Sequence, residues 1–255
     1  MGRLFALASN TFREAIRDRI WISILVFAMA SILLSVALKE ITIGDQAKVV
    51  RSIAQGGVDF FSSVIAMFLG ISIIWKELEK KTIYTILSKP IPRWMFILGK
   101  YLGLMMTVCI AVASMIFIYT LLMSYEQGFP HLITFVSFGL LLVELMVLTA
   151  WATLFSSYSA PTTATVFLLS IFVIGHLADD IWLFGNQSEN PSIRQFASTL
   201  YWVLPNFEAM SIRELSIHEK EVPWKQVWHA VLYGLGYSAA VLSFAVVIFQ
   251  RKDIK

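Results

Sequence analysis

The sequence predicts an all-α, polytopic membrane protein with six transmembrane helices, and three observations carry that prediction. Of 255 residues, 58% are hydrophobic and only 15% are charged, and the mean hydropathy is +0.73, far from the balance of a water-soluble domain. Several apolar runs reach the roughly 20 helical residues needed to cross the hydrocarbon layer of a bilayer. These runs lack period-two alternation and are about twice the length of a barrel strand, so they read as helices.

Residues 1–20 come first. Leu4, Phe5, Ala8, Phe12, Ile16 and Ile20 recur at helical spacing, with Arg3, Arg13, Glu14 and Arg17 on other faces. The pattern predicts an amphipathic helix in the membrane interface, and a plain basic topology anchor is the simpler alternative. Arg13, Arg17 and Arg19 punctuate the segment and no small-residue cleavage site follows, so it is not read as a signal peptide. The predicted spans follow at 21–38, 60–75, 94–123, 132–155, 161–184 and 229–249, the third entering hydrocarbon after Lys100.

Charge sets the predicted orientation. With both termini cytosolic, 13 of the 20 lysines and arginines fall on the inner side, and four of the other seven lie in the long segment 185–228, where charge constrains topology little. Acidic residues show the reverse bias, with five inside, eleven outside and Glu144 within a span. A net charge of +3 thus hides an inner face of about +8, suited to anionic lipid headgroups rather than nucleic acid. Trp21, Trp75, Trp94 and Trp151 fall near inner ends, and Trp182, Trp202, Trp224 and Trp228 near outer ends or in the outer segment, as interfacial belts require.

Between the second and third spans the chain reads "KELEKKTIYTILSKPIPRWMF". Glu77 precedes Lys80 and Lys81 in the order that favours helical ion pairs, and Ile83, Ile86 and Leu87 share one face. Pro90 disfavours helix at Lys89, and Pro92 stands where a new helix can start. Residues 76–93 therefore predict a short cytosolic helix, a rigid turn and re-entry at Arg93 and Trp94. The plain alternative is an interfacial helix anchored by lysines.

Here a family resemblance enters. Glu77, Thr82, the run Leu87-Ser88-Lys89-Pro90, Arg93 and Gly99-Lys100 resemble the signature of the ABC type-2 transporter permease family. "FREAIRDRI" at 12–20 is similar to its elbow helix, with Arg13, Glu14, Arg17 and Arg19. "LPNFE" at 204–208 and the "FQRKD" ending resemble its segments before and after the sixth span. The resemblance covers the whole chain, and its nearest branch includes the membrane subunit of the nitrous-oxide-reductase maturation machinery. It implies that residues 76–93 face an ATPase subunit, with Glu77, Lys80, Lys81, Thr82, Ile83, Ile86, Leu87, Pro90 and Arg93 as coupling residues. It further implies a homodimer working with two ATPases in a prokaryotic inner membrane. No phosphate-cradling loop is present, because the one Gly-Lys pair, Gly99-Lys100, is followed by Tyr101 and lacks a preceding loop glycine. ATP and magnesium are thus expected on the partner, with no cofactor on this chain.

Ionisable residues within spans are candidate functional groups. Glu144 lies mid-span and is expected to be uncharged, either hydrogen-bonded to Thr, Ser or Tyr or lining a substrate route. His176, Asp179 and Asp180 cluster at the predicted outer exit. His176 and Asp179 have the spacing of two metal ligands, but no third ligand accompanies them, so no metal site is predicted. Cys109 is alone, which excludes an intrachain disulfide. Segment 185–228 carries the apolar island "FASTLYWVL", too short to span; it reads as an outer gate dipping into the interface or as a segment packed on the sixth span. The chain as a whole reads as one transmembrane domain, the permease of an exporter. The rival is a mechanotransmitting subunit acting on a periplasmic partner. An intramembrane enzyme ranks last, since neither His-Glu-x-x-His nor Gly-x-Ser-Gly occurs.

Overall fold

The structure, a computed structural model, describes residues 2–17, 19–39, 45–79 and 92–251. Nearly all of them are helical, with no strand among the described residues. In chain order the helices are α1 (Gly2–Arg17), α2 (Arg19–Lys39), α3 (Gln46–Glu79), α4 (Arg93–Glu126), α5 (Leu132–Tyr158), α6 (Pro161–His176), α7 (Ala178–Gln187), α8 (Pro191–Val203), α9 (Arg213–Ile217) and α10 (Trp224–Arg251). A 3-10 turn at Glu208–Met210 precedes α9.

Four helices are long and apolar enough to cross a membrane: α3 over Gln46–Ser72, α4, α5 and α10. Two bent pairs, α1 with α2 and α6 with α7, bring the number to six if each is one span. The helix carrying the second predicted span starts at Gln46, well before Phe60, because charges that interrupt its apolar run find partners. Lys48 Nζ lies 2.9 Å from Asp45, Arg51 Nη1 lies 2.8 Å from Glu219, and Asp59 lies 3.3 Å from Arg213 Nη1. Paired charge is tolerated where isolated charge is not.

The fifth predicted span is broken, with α7 turning 63° from α6. The cause is local. The Gly175 carbonyl, which a continuing helix would offer to residue 179, instead accepts the Phe207 N–H at 3.0 Å. Phe207 is fully buried against this position. A helix whose carbonyl is claimed from outside loses its next turn.

At the centre stands α5, packed by α10, α3, α4 and α6, with Leu141, Leu145, Leu148 and Ala152 buried. Tyr119 and Phe138 meet edge to face at 5.2 Å in the same core. Phe27, Leu33, Phe117, Leu121, Val166 and Phe244 point outward and exposed. Such a belt is a liability in water and a lipid-facing surface in a bilayer. Turn residue Gln127 accepts from Arg51 Nε and donates to Ala47 O, while Arg51 also reaches Ile217 O. These contacts gather residues 47, 51, 127 and 217–219 at one end. Arg93 and Gln250, hydrogen-bonded at 2.9 Å, lie at the other. The segments that the charge count separates are thus at opposite ends of the bundle.

The seating of α1 is unlike the predicted apolar stripe. Ala8, Thr11 and Ala15 are buried, whereas Phe5 and Ile16 are exposed. Small residues face inward because α1 lies directly on α4: a Cβ on Gly103 would stand 2.5 Å from the Ala8 carbonyl oxygen. Gly103→Leu is expected to lift α1 from α4 at a cost of about 1–3 kcal/mol, read as a lower thermal midpoint by size-exclusion in detergent. An unchanged midpoint would mean that α1 does not sit there.

Candidate functional site

A polar cavity of about 430 Å³ opens within the bundle. Its first wall is α3, where Gly56, Asp59, Phe60 and Ser63 recur at three- and four-residue spacing and so share one face. The α5 wall contributes Glu144, and α6 contributes Phe172 and His176, one turn apart. The segment from Glu208 to Leu215 closes it with Glu208, Arg213 and Glu214.

That closing segment is held from several sides. The Asn206 N–H donates to the Tyr233 hydroxyl at 3.1 Å, its Nδ2 donates to Asp179 Oδ1 at 2.7 Å, and its Oδ1 accepts from the Ala209 N–H at 2.8 Å. Behind α9, buried Gln55 donates to Ser216 Oγ at 2.8 Å, which reaches Thr134 Oγ1 at 3.2 Å. Buried hydrogen bonds of this kind fix a segment in one position.

Two acid–base contacts face the cavity. Arg213 Nη1 donates to Asp59 Oδ2 at 3.3 Å. Glu144, 7% exposed, places Oε1 3.4 Å from His176 Nε2. The other ring nitrogen of His176, Nδ1, lies 3.0 Å from the Phe172 carbonyl oxygen and therefore carries a hydrogen. Nε2 without a proton would turn a lone pair toward a carboxylate, so the two groups carry one further proton, on Nε2 or on the carboxyl. The Phe172 ring stands 4.5 Å from that imidazole.

Two of the sequence candidates therefore meet here, and two do not. Glu144 faces His176 rather than a Thr, Ser or Tyr side chain. Asp179 accepts from Asn206, and Asp180 is exposed. Among the described residues, no three His, Cys, Asp or Glu side chains gather as a metal site. Asp59, Glu208 and Arg213 were not among the sequence candidates. A faint signal existed for Asp59, which lies one turn before the Ser62-Ser63 pair in an otherwise apolar run.

At the opposite end, α1 and α4 make a second polar contact. Lys100, 1% exposed, brings Nζ within 3.4 Å of Glu14 Oε2 and 6.0 Å of the Phe96 ring centroid. Adjacent Gly99 lets Leu7 approach, since a Cβ there would stand 2.7 Å from the Leu7 Cβ. Arg13 and Arg17 are exposed on the outer face of α1.

A family model described as "ABC-2 family transporter protein" matches residues 5–254. The chain belongs to this family. It is a multi-pass membrane protein and a membrane subunit of an ABC transporter, a family whose subunits work with an ABC ATPase. No curated protein matches the chain. In this ABC-2 subunit, Glu77 falls in the last turn of α3 and Arg93 opens α4. Lys80, Lys81, Thr82, Ile83, Ile86, Leu87 and Pro90 lie outside the described residues, as does the predicted helix that they would form. The side chain of Arg19 likewise falls outside them.

Arg93 has a placement that the family resemblance did not foresee. Nη1 donates to the carbonyls of Phe249 at 3.2 Å and Gln250 at 2.9 Å, in the last turn of α10. A cation on terminal helix carbonyls is favourable both as hydrogen bond and against the helix dipole. Phe96 and Phe249 stack beside it at 5.6 Å. Arg93 thus ties the entry of α4 to the exit of α10.

Proposed function

We propose that this ABC-2 subunit is the permease of an ATP-driven exporter, acting as two copies with two ATPase subunits in a prokaryotic inner membrane. The basic end, with α1, Arg93 and Arg251, faces the cytosol, and residues 76–93 dock on the ATPase. Segment 185–228 serves as an outer gate. ATP and magnesium bind the partner. The observation that supports transport over a purely mechanical role is the polar cavity between α3, α5, α6 and α9. A subunit that only relays force has no use for a charged space of about 430 Å³ inside a membrane bundle, where each polar group is costly.

Two measurements test the reading. The chain purified by itself should show no ATP hydrolysis and should copurify with an ATPase subunit from its own cells. In vesicles holding both, hydrolysis should drive a solute across. Robust hydrolysis by the chain alone would defeat the reading. Hydrolysis that tracks the occupancy of a periplasmic partner, with no solute moved, would favour the mechanotransmitting role.

A further inference from the structure

We infer that the cavity is a binding site for an amphipathic organic cation, one with an aromatic or bulky apolar body and a permanent or protonated positive centre. This names the substrate class of the cavity and rests on the permease reading above.

Charge decides the sign of the ligand. Among the described residues, every titratable group lining the space is on one of five elements: Asp59 on α3, Glu144 on α5, His176 on α6, Glu208 on the 3-10 turn, and Arg213 and Glu214 on α9. The α10 wall adds only neutral Gln226. Arg213 offsets one carboxylate, and the proton shared by His176 and Glu144 offsets another. The cavity keeps an excess of two negative charges within a chain whose formal net charge is +3. Fields inside a low-dielectric wall are focused rather than screened, so such a space concentrates cations.

Glu144 supplies an observation independent of the count. It is more than nine-tenths buried, and its one polar approach among the described residues, 3.4 Å to His176 Nε2, is long for a hydrogen bond. Its carboxylate lines the cavity, and its second oxygen has no partner among the described residues. A buried carboxylate is normally satisfied by several donors. This one is set up to accept another positive group. The body of the ligand has matching surfaces in Phe60 and Phe172, both on the wall, since aromatic faces attract cations as well as apolar groups.

The geometry also sets an order of events. While the pair holds its proton, the Nε2 edge of His176 occupies the position a ligand cation would take beside Glu144. Binding of the cation therefore expels that proton to solvent, leaving neutral His176 and a carboxylate paired with the ligand. No bond other than N–H or O–H changes, and charge is conserved by exchange of one cation for another.

Tetraphenylphosphonium is the probe, because it is aromatic, permanently charged and cannot itself titrate. Tetraphenylborate has the same shape and the opposite charge. With the full chain and its ATPase in lipid nanodiscs, tetraphenylphosphonium should bind saturably and tetraphenylborate should not. Calorimetry in two buffers of different ionisation enthalpy should report about one proton released per ion bound, the stoichiometry expected from linkage. Glu144→Gln should weaken binding about tenfold or more and abolish the proton release, whereas Glu208→Gln at the exposed rim should preserve the release. Should Glu144→Gln not accumulate, the wild-type complex still decides: tetraphenylphosphonium should slow dicyclohexylcarbodiimide labelling of Glu144. Equal binding of the two probes, an absent proton release, or unprotected labelling overturns the inference. Those failures leave the permease reading intact, provided the ATPase copurifies and hydrolyses ATP; loss of the ATPase partner defeats the permease reading instead.

Discussion

Lys100→Glu is expected to prevent stable accumulation of the protein in membranes. Lys100 is 1% exposed, and its ammonium faces Glu14 at 3.4 Å where α1 crosses α4. Reversing the charge puts two carboxylates at that contact and leaves a buried anion uncompensated, which costs about 3–5 kcal/mol. That is a large part of the 5–15 kcal/mol typical of a whole domain. The neighbouring geometry gives no relief, because Gly99 and Gly103 bring the two backbones too close for α1 to shift and admit water. The charge swap, Glu14→Lys with Lys100→Glu, should recover part of the yield in membrane fractions and part of the thermal midpoint. If Lys100→Glu accumulates and melts as the wild type does, α1 is not held by this pair and its role as a fixed elbow is lost.

The pairing of Glu14 with Lys100 also shows what could be read from sequence and what could not. The apolar runs placed four of the six predicted spans, those on α2, α4, α5 and α10, to within about five residues of the helix ends, because the 20-residue length rule is local and lipid enforces it. Helix α3 escaped that rule: Arg51 and Asp59 lower the hydropathy of its first half, and only partners 168 and 154 residues away, Glu219 and Arg213, make them tolerable. The bend after His176 escaped for a similar reason. Its cause is a backbone N–H at Phe207, and no proline or glycine pair at the bend announces it. Glu144 was legible by itself as a lone acid within a span. Its partner was not, since His176 stood at a predicted exit and only folding brings the two within 3.4 Å. Arg93 was legible as a charge near the interface and as part of a family-like motif, but its bonds to the end of α10 required two distant helix ends to be placed together. Local periodicity and length are written in the chain; charge compensation across helices is a property of the packed bundle.

Ile86→Asp is expected to abolish capture of the ATPase subunit. In the proposed coupling segment, Ile83, Ile86 and Leu87 would form the apolar edge, and burying each aliphatic side chain contributes about 1.5–3 kcal/mol. Exposed ion pairs from Glu77, Lys80 and Lys81 would contribute at most about 1 kcal/mol each, enough to orient the partner and too little to hold it. A carboxylate in the middle of the apolar edge therefore removes most of the affinity, while Lys80→Ala should weaken capture only a few-fold. Pro90→Gly with Pro92→Gly probes a different property. Pro92 stands at the N-cap of α4, with φ −64° and ψ 140°, and the next residue, Arg93, grips the carbonyls of Phe249 and Gln250. A push on residues 76–93 is thus delivered to α4 and α10 together, provided the connection is stiff. Two glycines make it compliant, since they restore the φ freedom that proline removes. The double variant should still capture the ATPase and hydrolyse ATP, but with transport in vesicles lost or strongly reduced. Arg93→Ala should give the same uncoupled behaviour by freeing α10 from α4. Normal capture and transport by Ile86→Asp would show that this segment only anchors the chain at the interface, and would move the coupling contact to α1 around Arg13 and Arg17.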